Sequence, residues 1–232
     1  IRKGKTIMMK KLTALVMLLV MALCCCTAQA DETMQKFQPY TTVKMDVLEK
    51  YGFTTSSYDD FAFTAELSPE NHSISYTVDL YKDTFSIIMD LKVVYSETGT
   101  IVAPRLIFQK SGSVTYSSSK MENIYIRIGE NRYKVDVSDC SRSSSNKATD
   151  TAVEVLRDVG VMMLKDIVNS DDEIHVNFDV SQFWDFSDIT LTSEDRETLK
   201  NFYNACEEAG VFDQEALYAT QDDYYISTRF NK

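Results

Sequence analysis

Between Ile124 and Val137 apolar and polar residues alternate in two consecutive runs. Ile124, Ile126 and Ile128 are separated by Tyr125 and Arg127, and Tyr133, Val135 and Val137 by Lys134 and Asp136, with Gly129, Glu130 and Asn131 between the runs. A period of two belongs to a strand with one buried face, and two such runs around a glycine-containing break predict a hairpin. Parity then sets the register. A loop of two or four residues puts the isoleucines opposite Tyr133, Val135 or Val137, whereas a three-residue loop puts them opposite charges, so the even loop is expected.

The same period recurs along the chain. Phe61, Phe63, Ala65 and Leu67 alternate, a turn is expected at Ser68–Asn71, and Ile74, Tyr76, Val78 and Leu80 alternate after it. From Phe85 to Tyr95 one face is wholly apolar and the other carries Ile88 and Val94 beside Asp90 and Lys92, which predicts a central strand. The run from Ile101 to Lys110 contains Pro104, whose missing N–H points to an edge strand or a strand start. Ser113–Ser119 reads as a weaker, serine-rich strand, and Ser138–Lys147 as a loop. Ile174, Val176, Phe178 and Val180 predict a further strand, and Ile189 with Leu191 a short one.

Helical spacing is rarer. Thr41–Tyr51 presents Val43, Val47, Leu48 and Tyr51 on one side, with Gly52 placed to end it. Asp150 is read as the cap of a helix to about Val168, whose broad apolar arc calls for deep burial. Thr192 and Asp195 form the spacing of a capping box for a helix to Ala209, with Gly210 at its stop. Asp213–Ala219 can add a helical turn and Tyr224–Phe230 a last strand. Short connections between strands, and two main helices late in the chain, predict an α+β, β-rich fold: an antiparallel sandwich or curved sheet covered by helices.

The first thirty residues change the picture. Arg2, Lys3, Lys5, Lys10 and Lys11 precede an apolar run from Leu12, with translation expected to start at Met8 or Met9, and Thr27-Ala28-Gln29-Ala30 supplies small residues before Asp31. This is the pattern of a secretory signal peptide cut after Ala30, and it resembles a bacterial export leader. The run ends at Cys26, short of the roughly 20 residues that span a bilayer. Cys24, Cys25 and Cys26 raise lipid attachment as an alternative that would tether the protein, although their flanks depart from the lipoprotein pattern of Leu-x-(Gly/Ala/Ser)-Cys. Residues 1–30 are thus read as the leader and 31–232 as one domain, secreted or extracytoplasmic, with no transmembrane helix.

Charge narrows the partners. The full chain has a formal charge of −11, and cleavage would remove five basic side chains and no acid, leaving it more acidic still. Such a surface repels phosphate backbones and anionic lipid, which argues against nucleic acid. After cleavage Cys140 and Cys206 remain. Export would permit a bridge worth about 4 kcal/mol at best, while Cys206 on the helical stripe could equally serve as a small hydrophobe.

No catalytic signature emerges. His72 and His175 are the only histidines, with no glycine-flanked nucleophile elbow and no assignable third group to orient a base. Asp171, Asp172, Glu173 and His175 could ligate a hard cation, yet they lack the alternation and glycine of an EF-hand loop, and such a turn is ordinarily solvated. Phe183, Trp184 and Asp185, with Phe186, either plug the end of a sheet or form a platform for sugar or peptide. Asn71-His72-Ser73 fits a glycosylation sequon, relevant only to a eukaryotic source. No cofactor is expected. The expected function is that of an exported binding or interaction domain for an extracellular or envelope protein, peptide or saccharide. The alternative is an envelope or extracellular hydrolase whose carboxylates or serines are scattered over several loops.

Overall fold

The computed structural model describes residues 41–59, 64–78, 83–96, 99–113, 121–136, 141–144, 147–180 and 188–219. The chain divides into two compact units, one of residues 1–41 with 96–100 and one of 42–95 with 101–232. Nearly all described elements belong to the second. Among the described residues no helix is long and apolar enough to cross a membrane.

A short helix α1 (Met45–Lys50) is followed by strands β1 (Thr54–Asp59), β2 (Thr64–Ser68), β3 (Ser73–Val78), β4 (Asp83–Ser96), β5 (Gly99–Ser113), β6 (Met121–Ile128), β7 (Asn131–Asp136), β8 (Ser141–Ser144) and β9 (Lys147–Val155). Helix α2 (Val159–Asn169), strands β10 (Ile174–Val180) and β11 (Asp188–Thr190), helix α3 (Ser193–Ala209), a 3-10 turn (Val211–Asp213) and helix α4 (Glu215–Ala219) complete the order. The fold is therefore β-rich α+β, with its main helices late in the chain. Sheet A runs β1-β2-β4-β5-β9-β8, with β3 also paired to β4, and sheet B runs β11-β10-β6-β7.

The two sheets face each other through aromatic side chains. Phe178 of sheet B lies 4.9 Å, centroid to centroid, from Phe85 of β4 and 6.2 Å from Phe108 of β5. Ile124, Ile126, Ile128, Ile174 and Val176 are buried on the same side of sheet B as Phe178. The hairpin has the even loop that parity demands: Ile128 pairs with Asn131 across Gly129 and Glu130, and Ile126 with Tyr133. Gly129 takes φ 55°, the first central position of a tight turn, where a side chain would be strained and would also strike the Asp172 carboxylate.

Helix α3 begins as its sequence specifies. Asp195 N–H donates to Thr192 Oγ1 at 3.2 Å and Thr192 N–H donates to Asp195 Oδ2 at 2.7 Å, closing a capping box. Its end is the left-handed Gly210 at φ 75°. Phe202 meets Phe53, and Arg196 donates to the carbonyls of Ser170 and Asp172, tying α3 to the turn before β10. Cys206, on the buried stripe, is a free thiol whose pKa is driven up by burial, so it acts as a core residue and not as half of a bridge.

Three expectations need correction. The helix expected from Asp150 is a strand up to Val155, and α2 begins only at Val159. Thr149, Thr151, Val153 and Val155 are β-branched, and the alternation of Ala148, Asp150, Ala152 and Glu154 between them satisfies a period of two. Asp150 is buried and receives Arg142 Nε at 2.7 Å and the Met121 N–H at 3.1 Å. Pro104 lies in an interior strand, not at an edge. It is tolerated because β9 pairing starts one residue later, at Arg105 opposite Val155, so the missing donor falls at the ladder's end. The serine-rich loop contains β8, which pairs with β9. The expected strand at Tyr224–Phe230, and most of Ser113–Ser119, lie outside the described residues.

Candidate functional site

Sheet B buries one face and leaves the other open. Because facing residues of antiparallel strands point to the same side, register alone lays out that outer face. One row runs Thr190, His175, Arg127, Arg132 across the four strands, and the next runs Asp188, Asn177, Tyr125, Lys134. Tyr125 is 42% exposed. These rows line a shallow groove of about 350 Å³ bordered by Tyr125, Arg127, Arg132, His175, Asn177 and Asp188.

The electrostatics of this face run against those of the chain. Arg127 and Arg132 stand directly opposite each other, and neither has an ion-pair or hydrogen-bond partner among the described residues. Like charges in facing positions destabilise a sheet. Lys134 adds a third cation, its Nζ 6.0 Å from the centroid of the Tyr125 ring. At the β11 side the balance reverses: Asp188 Oδ1 lies 3.8 Å and Thr190 Oγ1 3.3 Å from His175 Nδ1, and Glu173 Oε2 lies 3.6 Å from His175 Nε2.

The tie between β7 and α2 fixes the far side of the sheet. Tyr133 Oη donates to Asp166, as does Asn131 Nδ2 at 2.9 Å. Burial and the Asp166 carboxylate push the Tyr133 hydroxyl up to about 12, so it remains a donor at any physiological pH.

Of the four acidic and imidazole residues singled out in the sequence, only Glu173 and His175 lie within ion-pair distance of each other. Asp172 points at Gly129 of the hairpin, Asp171 and Glu173 are exposed, and His175 joins the outer face. Among the described residues no three His, Cys, Asp or Glu side chains come together to hold a metal. Phe183, Trp184 and Asp185 lie outside the described residues. What sequence reasoning missed is Tyr125, Arg127, Arg132, Lys134, Asn177 and Asp188. Each occupies a polar position of a strand, and only the pairing of four strands brings them together.

Two other features invite attention. A cleft of about 410 Å³ opens between the end of α1, the turn at Pro69–Asn71 and α3, lined by Tyr51, Asn71, Thr198 and Asn201. Glu154 is a buried carboxyl, 6% exposed, pushed up to about 8 by burial against the opposing pull of Arg157. It lines neither groove and sits against Gly160 of α2.

Comparison with protein families, with curated proteins and with solved structures finds no match.

Proposed function

We propose that this chain is an exported domain that acts by binding, and that its ligand rests on the outer face of sheet B. The observation that carries the reading is that open face, where an exposed tyrosine, two arginines with no ion-pair or hydrogen-bond partner among the described residues, a histidine and an asparagine project from paired strands into one groove. Residues on paired strands are held without loop entropy, so a ligand settling there orders little of the protein. Export is read from the basic-apolar leader and its Ala28 and Ala30.

Amide chemical-shift mapping tests the site with three defined probes: a carboxylated oligosaccharide, its neutral counterpart and an acidic peptide. At least one should shift resonances of β6, β7, β10 and β11 with saturation. Replacing Tyr125 and Asn177 together by alanine should weaken that probe about tenfold with the melting temperature unchanged. Shifts confined to the cleft between α1 and α3, or turnover of a bound probe, would overturn the reading.

A further inference from the structure

Among the described residues strand β7 ends sheet B, and its pairing with β6 determines what it offers beyond the sheet. The two-residue loop makes Ile128 and Asn131 a hydrogen-bonded pair, and pairs alternate from there. Asn131, Tyr133 and Val135 therefore turn their backbone groups toward β6, whereas Arg132 and Lys134 turn theirs outward. Among the described residues no backbone hydrogen bond satisfies the N–H or C=O of Arg132 or Lys134. Of the three residues of β7 that share this outward parity, Arg132 and Lys134 carry cationic side chains, and Asp136 stands at the strand's end.

From this coincidence we infer that β7 receives an acidic peptide in extended conformation as a fifth strand of sheet B. The inference rests on the outer face being the binding surface and names what binds there. An added antiparallel strand would exchange backbone hydrogen bonds with Arg132 and Lys134, and its side chains opposite them would point to the same face. Those positions lie two residues apart, about 7 Å along a strand. Carboxylates at alternate positions then meet Arg132 and Lys134, with Arg127 immediately behind Arg132. The intervening side chain points to the opposite side, toward α2. There Met162 and Val159, one and two turns before the Asp166 that ties α2 to β7, are 58% and 48% exposed. The expected ligand pattern is acidic-apolar-acidic.

Charge also weighs against a second copy of β7 as the occupant, since edge-to-edge pairing sets Lys134 against Lys134 in the register that opposes Arg132 to Asp136, and Arg132 against Arg132 in the register centred on Arg132. An acidic strand is attractive to Arg132 and Lys134 together. A carboxylated saccharide could satisfy the arginines but has no amide repeat to meet the open backbone groups.

The test uses the capped hexapeptide Glu-Val-Glu-Val-Glu-Val, its Gln-Val counterpart, and versions N-methylated at the glutamates or at the valines. Binding is followed by calorimetry and by amide shifts. The glutamate peptide should saturate and shift Arg132 and Lys134, and the glutamine peptide should bind at least about tenfold more weakly. Methylating the glutamate amides, which face β7, should abolish binding, while methylating the valine amides should leave it largely intact. Arg132→Gln with Lys134→Gln should reproduce the loss on a fold of unchanged stability. Equal binding of the two peptides, or equal damage from either methylation, would overturn the strand. Shifts at Tyr125 and Asn177 from a carboxylated oligosaccharide, with no response to the peptide, would overturn the peptide and leave the open face standing. Silence of that face toward every probe would remove both.

Discussion

Glu154 shows how one buried group writes itself into the stability of the whole. Its carboxyl titrates near 8 in the folded protein against an ordinary 4.5, so the native state keeps a proton that the unfolded chain releases. Its contribution to stability is whole below pH 4.5, falls by about 1.4 kcal/mol per pH unit as pH rises toward 8, and is flat above that. Denaturant melts between pH 5 and 9 should therefore show declining stability, and Glu154→Gln should flatten the decline. Arg105 gives the opposite case. Its Nε donates to Asp90 Oδ1 at 2.7 Å and its Nη2 to Glu66 Oε1 at 2.8 Å, on the side of sheet A away from sheet B. Arg105→Met should cost about 3–5 kcal/mol, because Asp90, 5% exposed, loses its countercharge. Adding Asp90→Leu should recover much of that loss, a coupling measurable by a double-mutant cycle.

At the scale of elements, α3 depends on its first turn. Thr192→Ala removes the acceptor of the Asp195 N–H and should cost about 1 kcal/mol in thermal melts; Asp195→Ala should cost more, since its carboxylate also receives the Tyr76 hydroxyl. The cap, the stripe of Leu199, Phe202 and Cys206, and the stop at Gly210 were all legible, because each is a local rule written in consecutive residues. So were β4, β6, β7 and β10, which bury one face. Strand β1 was not legible, since its described side chains are exposed along its whole length and no alternation marks it. Strand β9 was misread because Val153 and Val155 fit a helical arc as well as a strand, and the arbiter is their pairing with Ile107 and Arg105 on a distant part of the chain. The candidate site failed to show for the same reason. Arg127 and Arg132 look like two solvated charges until the turn sets them face to face, and His175 and Asn177 join them only through β10.

Across the whole molecule, the stability of the sandwich rests on contacts between its sheets. Ile126 is 2% exposed in the middle of sheet B. Ile126→Asp should unfold the protein, while Lys134→Ala, on the opposite face, should change stability by less than about 0.5 kcal/mol. Comparable losses from both would show that the faces of the hairpin are assigned the wrong way round.

The strand orders also govern when the fold can form. The chain leaves sheet A after β5, lays down β6 and β7 in sheet B, returns for β8 and β9, and leaves again for β10 and β11. Strand β5 waits for a neighbour in β9, and β6 waits for one in β10. A chain emerging from its N-terminus therefore lacks the last strand of sheet A until Val155 and the last described strand of sheet B until Thr190, out of 232 residues. Until then β4 and β5 carry exposed apolar surface with nothing to cover it, so the nascent protein stays open to whatever holds unfolded chains, and native structure arrives late and all at once.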